Sequence, residues 1–241
     1  MKNLLFTFLI LAYGAPAFAQ LSAPATGPQI SFHNGVIFAG SGHDFRAELK
    51  DQGFGEPVSG KGFIDTAKNP RRNEMAVQLG ILHPITSQYY VKALFNYRES
   101  DVSGYKMDFS AIQLHATSAA LAALAVRYVP LFSQYIRLGV GPTFNRLNNT
   151  LRYEESELAN KKMTRPGFVL ETGFSTPASS RVYLDLQLQY FYAGKTDLGS
   201  HTLSGASQAG SNANAFVSFD KISLNSFIFS LGVGLRLQKQ V

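Results

Sequence analysis

One short run in this 241-residue chain carries the residue types of a hydrolytic site: His115-Ala116-Thr117. Two residues apart on an extended strand, an imidazole and a hydroxyl share a face, and acyl transfer needs them beside a carboxylate that orients the ring. No such carboxylate is evident near them in the sequence. The remaining histidines, His33, His43, His83 and His201, form no spaced pair with Asp or Glu of the kind a metal centre uses. The absence of cysteine excludes disulfides, thiolate ligands and a thiol nucleophile. Gly232-x-Gly234 is not a phosphate-binding loop, because no helix follows it. The basic balance, a formal charge of +6, includes no aromatic-interleaved patch that would suit nucleic acid. More prominent are charged and amide side chains set singly in apolar surroundings: Glu74, Lys92, Arg98, Arg127, Arg137, Glu171, Asp185, Gln187 and Arg236. An unpaired charge in a poorly hydrated interior costs several kcal/mol, so such residues predict mutual pairing.

The elements that would position them are strands. From Ile30 onward the dominant period is two. Over Val182 to Gly194, the side chains of Val182, Leu184, Leu186, Leu188, Tyr190 and Tyr192 share one face; Tyr183, Asp185, Gln187 and Gln189 share the other. The other segments of this kind are 30–42, 73–83, 88–99, 106–128, 135–147, 164–176 and 221–238. Most hold the ~9–11 residues a tilted strand needs to cross a bilayer. The fourth includes an Ala-rich stretch of helical propensity, Ser118 to Tyr128, yet pairs well with its neighbour as a strand. Three connections are tight and contain proline, at 84–88, 130–134 and 177–180. The others, 43–72, 100–105, 148–163 and 195–220, are mostly longer and more charged. Within the last, Gly199 to Asn214 reads as a flexible Gly/Ser/Ala/Asn tract.

Folding each tight hairpin about the middle of its turn tests the pairing. About Thr86, Val77 faces Phe95, Leu79 faces Ala93, and Glu74 faces Arg98 on the opposite side. About Phe132, Val126 faces Leu138 and Leu124 faces Val140, which sends Arg127 and Arg137 inward together, with His115 and Thr117. About Ser179, Leu184 faces Phe174, Leu186 faces Thr172 and Leu188 faces Leu170, while Gln187 faces Glu171. Each hairpin thus sorts into an oily and a non-oily face.

The first nineteen residues read as a cleaved secretory signal: a basic start at Lys2, the apolar run Leu4 to Tyr13, and a small-x-small site at Ala17-Phe18-Ala19. No cysteine follows for lipid attachment. The mature part is expected to be 20–241; the whole chain is 45% hydrophobic and only 16% charged, against about 25% for an average soluble domain. Charge gathers in the loops, aromatics such as Tyr89, Tyr90, Tyr128, Phe132, Tyr135 and Tyr183 stand near strand ends, and the non-oily face is rich in Gly, Ala and Gln. Those features predict an inverted barrel, with Val77, Leu79, Phe95, Leu138, Val140, Leu184, Leu186 and Leu188 facing lipid. The predicted fold is all-β, a transmembrane up-and-down antiparallel barrel of eight strands.

With its export signal, short strands, proline turns and the repeated Leu138-Gly139-Val140-Gly141 and Leu231-Gly232-Val233-Gly234, the chain resembles the small eight-stranded outer-membrane barrels of the OmpX, OmpW and opacity type. It departs from them in ending Gln238-Lys239-Gln240-Val241 rather than on an aromatic residue. The resemblance implies a cell-outer-membrane protein of a Gram-negative bacterium, in contact with lipopolysaccharide and membrane lipid and inserted by the barrel-assembly machinery. It implies no cofactor and no bound metal. The expected role is a non-enzymatic surface or envelope scaffold acting through its outer loops, toward a protein or host ligand. A narrow porin-like channel is the alternative, and a lipid A-modifying enzyme a more distant one. The inward charges, Glu74, Lys92, Arg98, Arg127, Arg137, Glu171, Asp185 and Arg236 with Gln187, are expected to plug the barrel, whose interior is just wide enough for side chains.

Overall fold

In Gln29–Ala39 (β1), side chains are in turn buried and exposed, as the period of two requires. The computed structural model describes residues 27–57, 64–65, 71–106, 109–131, 134–176, 181–206 and 212–237. The expected signal peptide, the Pro177–Ser180 turn and the last four residues lie outside the described residues. A helix, Ser41–Asp51 (α1), and two short strands, Glu56–Pro57 (β2) and Ile64–Asp65 (β3), follow β1. Five long strands come next: Arg71–Pro84 (β4), Tyr89–Lys106 (β5), Phe109–Leu131 (β6), Gln134–Tyr153 (β7) and Ser156–Ser175 (β8). Val182–Tyr192 (β9) precedes Lys195–Thr196 (β10), Ser200–Ala206 (β11), Asn212–Ser218 (β12) and Ile222–Ser223 (β13). Ser226–Arg236 (β14) is the last.

Eight of these strands close into one antiparallel barrel in the order β1-β14-β9-β8-β7-β6-β5-β4. Closure pairs β1 with both β14 and β4 and leaves no edge, the condition for a sheet to stand in hydrocarbon. The outer face carries Leu79, Phe95, Leu138, Val140 and Leu184 exposed, and Val77, Leu186 and Leu188 half-buried. The inner face carries Lys92, Arg98, Arg137, Glu171, Asp185, Gln187 and Arg236, all buried. The adjacent pair Arg137 and Leu138, 2% and 47% exposed, shows the inversion at a single step of one strand.

The pairing differs from the sequence expectation in two ways. Hairpins β4–β5 and β8–β9 are offset by two residues: Leu79 pairs with Phe95, Glu74 with Ser100, Leu186 with Phe174 and Gln187 with Gly173. An even offset preserves each face. In β6–β7 the offset is one, because Leu131 pairs with Gln134 and the loop between them has two residues rather than three. That odd step turns β6 over. Leu124 and Val126 point into the barrel, and Arg127 lies opposite Leu138 on the outside. Arg127 therefore does not belong to the lumen; its guanidinium stacks over the Tyr89 ring, 5.4 Å from the centroid, near the turn end of the wall.

Residues 100–105 and most of 148–163, expected as loops, are strand: β5 to β8 have 18, 23, 20 and 20 residues. They exceed the ~9–11 residues of a span and carry the sheet well beyond the bilayer. Ser200–Ala206 and Asn212–Ser218, read as flexible, pair as a hairpin. Helix α1 lies at the end opposite the tight turns. Its Phe45 and Leu49, with Phe54 after it, are fully buried against Val102, Ile112, Leu114 and Phe219.

The glycines of the repeated motif face inward, where other side chains approach them. A Cβ on Gly232 would run into the His33 ring, and one on Gly234 into the Tyr183 ring. Gly232→Val is therefore expected to lower unfolding free energy by about 1–3 kcal/mol through forced repacking. Urea titration of protein folded in lipid vesicles measures it, and an unchanged midpoint would contradict this packing.

Candidate functional site in the barrel interior

The end with the tight turns is filled by an ionic cluster drawn from five strands. Alternation alone points Lys92 (β5), Arg137 (β7), Glu171 (β8), Asp185 (β9) and His33 (β1) to the axis. Arg137 donates Nε–H to Glu171 at 2.8 Å and grips both oxygens of Asp185 at 3.1 and 3.0 Å. The fixed fork of the guanidinium suits this bidentate contact. Lys92 donates to the second oxygen of Glu171 at 2.7 Å, and His33 Nε2 lies 2.9 Å from Asp185. Amides complete the shell. Gln189 donates to Glu171, Gln187 to Asp185, and Gln78 to Gln189, at 2.7, 2.6 and 2.6 Å. Two cations and two carboxylates balance, each held by more than one neighbour, as desolvated charges require.

Above this cluster Arg98 reaches across the lumen to Ser226 of β14 and Ser118 of β6, at 2.7 and 2.6 Å. It also lies over the Phe191 ring, 4.8 Å from the centroid. Glu74 does not meet Arg98. It accepts from Ser100 at 2.8 Å and lies 3.3 Å from Arg72. Arg236 sits at the tight-turn rim over Tyr183, donating to the Thr176 carbonyl. Of the residues singled out from the sequence, Lys92, Arg137, Glu171, Asp185 and Gln187 meet in one cluster; Glu74, Arg98 and Arg236 stand apart, and Arg127 is outside. His33, Gln78 and Gln189 also belong to the cluster; Gln189 was read onto the non-oily face but not singled out, and the alternation of His33 with Phe32 and of Gln78 with Val77 carries the same signal.

The opposite end is closed differently, with apolar side chains. Phe45 packs on Phe219 with ring centroids 4.6 Å apart. Polar ties fix α1 to its surroundings: Gln52 donates to the Ser218 carbonyl at 2.9 Å, Ser223 N–H donates to Asp44 at 3.1 Å, and Gly55 pairs with Tyr105. Sequence reading took 43–72 as a solvated loop because its charges hide the Phe45–Leu49 spacing of one helical turn.

Turning β6 over also moves His115 and Thr117 to the outer wall, and it supplies the carboxylate that sequence reading did not find. Asp101 of β5 pairs with His115, its Oδ1 2.6 Å from Nδ1. Glu99 joins them, so that three donor atoms lie within 4.8 Å of one another. Thr117, however, makes no hydrogen bond to His115 among the described residues. The imidazole is oriented, but no hydroxyl is presented to it, so the acyl-transfer arrangement is not assembled.

No family model matches the chain, and no curated protein sequence matches it. Among solved structures the chain is similar to the outer membrane protein OprG from Pseudomonas aeruginosa, with a TM-score of 0.50 and 10% identity over 91% of this chain and 99% of that one. It also matches neisserial surface protein A, with a TM-score of 0.42 and 13% identity over 88% of this chain and 98% of that one. Ail, the attachment invasion locus protein of Yersinia pestis, gives 0.44 and 9% over 89% and 100%. At these identities the likeness concerns the fold alone: an eight-stranded barrel of the outer-membrane kind.

Proposed function

We propose that this protein is a non-conducting, non-enzymatic surface barrel, exported by cleavage of residues 1–19 and inserted in the outer membrane among lipopolysaccharide. Its spanning part is a rigid support. Its working surface is the extramembrane cap made by α1, the β11–β12 hairpin and the projecting ends of β5 to β8, directed at a protein or host ligand. Organised loops on a rigid scaffold are where recognition is commonly built. The observation that carries this reading is the double closure of the lumen: the Arg137–Glu171–Asp185–Lys92 cluster fills one end, and Phe45, Leu49 and Phe54 fill the other. A solute path would have to break the balanced cluster and then displace a dry apolar layer.

The test is conductance in planar bilayers made from heat-modifiable, folded protein. No discrete steps are expected from the native chain, nor after α1 is removed, because the ionic cluster still blocks the tight-turn end. Steady single-channel steps from the native protein would overturn the reading in favour of a narrow channel.

A further inference from the structure

Several charges inside the barrel are paired with an opposite charge, and Arg98 is not. Lys92 and Arg137 answer Glu171 and Asp185, and Arg72 answers Glu74. Arg98 is 3% exposed, and among the described residues no carboxylate forms an ion pair with it. Its partners are neutral: two serine hydroxyls, the Asn145 carbonyl oxygen at 3.5 Å, and the face of Phe191. Hydroxyls and an aromatic face solvate a cation but do not neutralise it, and a buried unneutralised charge costs several kcal/mol.

Beside Arg98 the lumen keeps a small cavity, lined in part by Ser118, Ser226, Asn149 and Glu74. Two further donors there are unused. The Nε–H of Arg98 and the Nδ2 amide of Asn149, itself 2% exposed, are buried without a hydrogen-bond partner. A cation, two orphaned N–H donors and two rotatable hydroxyls converge on one space. Its lining includes two carboxylate residues: Glu74 accepts from Ser100 and lies 3.3 Å from Arg72, and Glu99 stands with Asp101 and His115 on the outer wall.

We propose that this cavity is a binding site for a small monovalent inorganic anion, with chloride as its occupant. Water could satisfy the orphaned donors, as buried waters do, but it supplies no countercharge. A halide does both. The cavity is of water-like size, which favours a monatomic anion over a carboxylate or phosphate ester. Occupied, the site ties β5, β6, β7 and β14 together across the lumen through Arg98, Ser118, Asn149 and Ser226.

The experiment compares thermal unfolding of detergent-folded protein in sodium chloride, bromide and gluconate at constant ionic strength. An anion bound only by the native state stabilises it in proportion to ln(1 + [L]/Kd). A saturable rise in Tm with chloride and bromide, and none with gluconate, is expected for the native chain. Arg98→Met is expected to abolish the halide dependence. Asn149→Ala, which removes a donor but no charge, is expected to raise the half-saturating chloride concentration at least about threefold. If Arg98→Met does not fold, Asn149→Ala and anomalous scattering from bromide at the cavity decide the matter. Equal melting in chloride and gluconate, an Asn149→Ala variant with native half-saturation, or bromide absent from the cavity would each overturn the proposal and leave water as the occupant. None of these outcomes bears on conductance, so the site stands or falls separately from the surface role.

Discussion

Replacing Arg137 by methionine is expected to remove about 3–5 kcal/mol of unfolding free energy, the largest single-residue loss in this barrel. The side chain is 2% exposed and, among the described residues, is the only group that holds both Glu171 and Asp185. Once it is gone, two desolvated carboxylates share Lys92 and the His33 ring, and Asp185 loses a two-pronged contact at 3.0 and 3.1 Å. The loss comes from stranding its partners more than from forfeiting a favourable pair, because removing two charges from water is itself expensive. That distinction is measurable. In Arg137→Met combined with Asp185→Asn, Lys92 and Glu171 remain as a balanced pair, and much of the stability should return even though every ion pair to Arg137 is absent. Equilibrium unfolding in urea on lipid vesicles gives both values. A double variant as unstable as the single one would show that the cluster contributes through direct attraction instead.

Leu186→Arg is expected to destabilise the folded protein by about 2–4 kcal/mol, the range for a cation on the lipid face near the bilayer midplane. Leu186 is central in β9 and lies outward, between Leu231 of β14 and Phe174 of β8. Its neighbour Gln187 faces the axis and contacts the Asp185 side chain. The chain contains no cysteine, so single thiols at the two positions can be labelled without background. A lipid-soluble maleimide should react with Leu186→Cys and leave Gln187→Cys untouched while the protein is folded. Reaction at 187 with protection at 186 would reverse the barrel and remove the membrane location with it.

Much of this arrangement was legible in the residues. Alternation within a strand is local, so Arg137 against Leu138, or Gln187 against Leu186, could be assigned to opposite faces without coordinates. Hairpins β4–β5 and β8–β9 kept their faces although their partners shifted by two residues, because the side-chain period is two. Hairpin β6–β7 was not legible. Both faces of β6 are apolar, with Leu124 and Val126 on one and Leu121, Ala123 and Ala125 on the other, so hydrophobicity could not choose between them. The count of turn residues chose, and one residue more or less there sends Arg127 and His115 to the other side of the wall. The mouth was hidden for a different reason: α1 is a charged helix that is apolar on a narrow stripe, and its partners, among them Val102, Ile112 and Phe219, lie far along the chain.

By itself, then, the sequence determined the eight strands, the inside and outside of most of them, and the need for buried charges to find partners, since these follow from pleat geometry and the cost of desolvation. Only the tertiary structure decided which partners meet. Lys92 and Glu171 are 79 positions apart, and His33 and Asp185 are 152 apart. Contacts at that separation depend on how a closed ring of strands is staggered, and stagger accumulates from every turn and register at once, so no single segment encodes it.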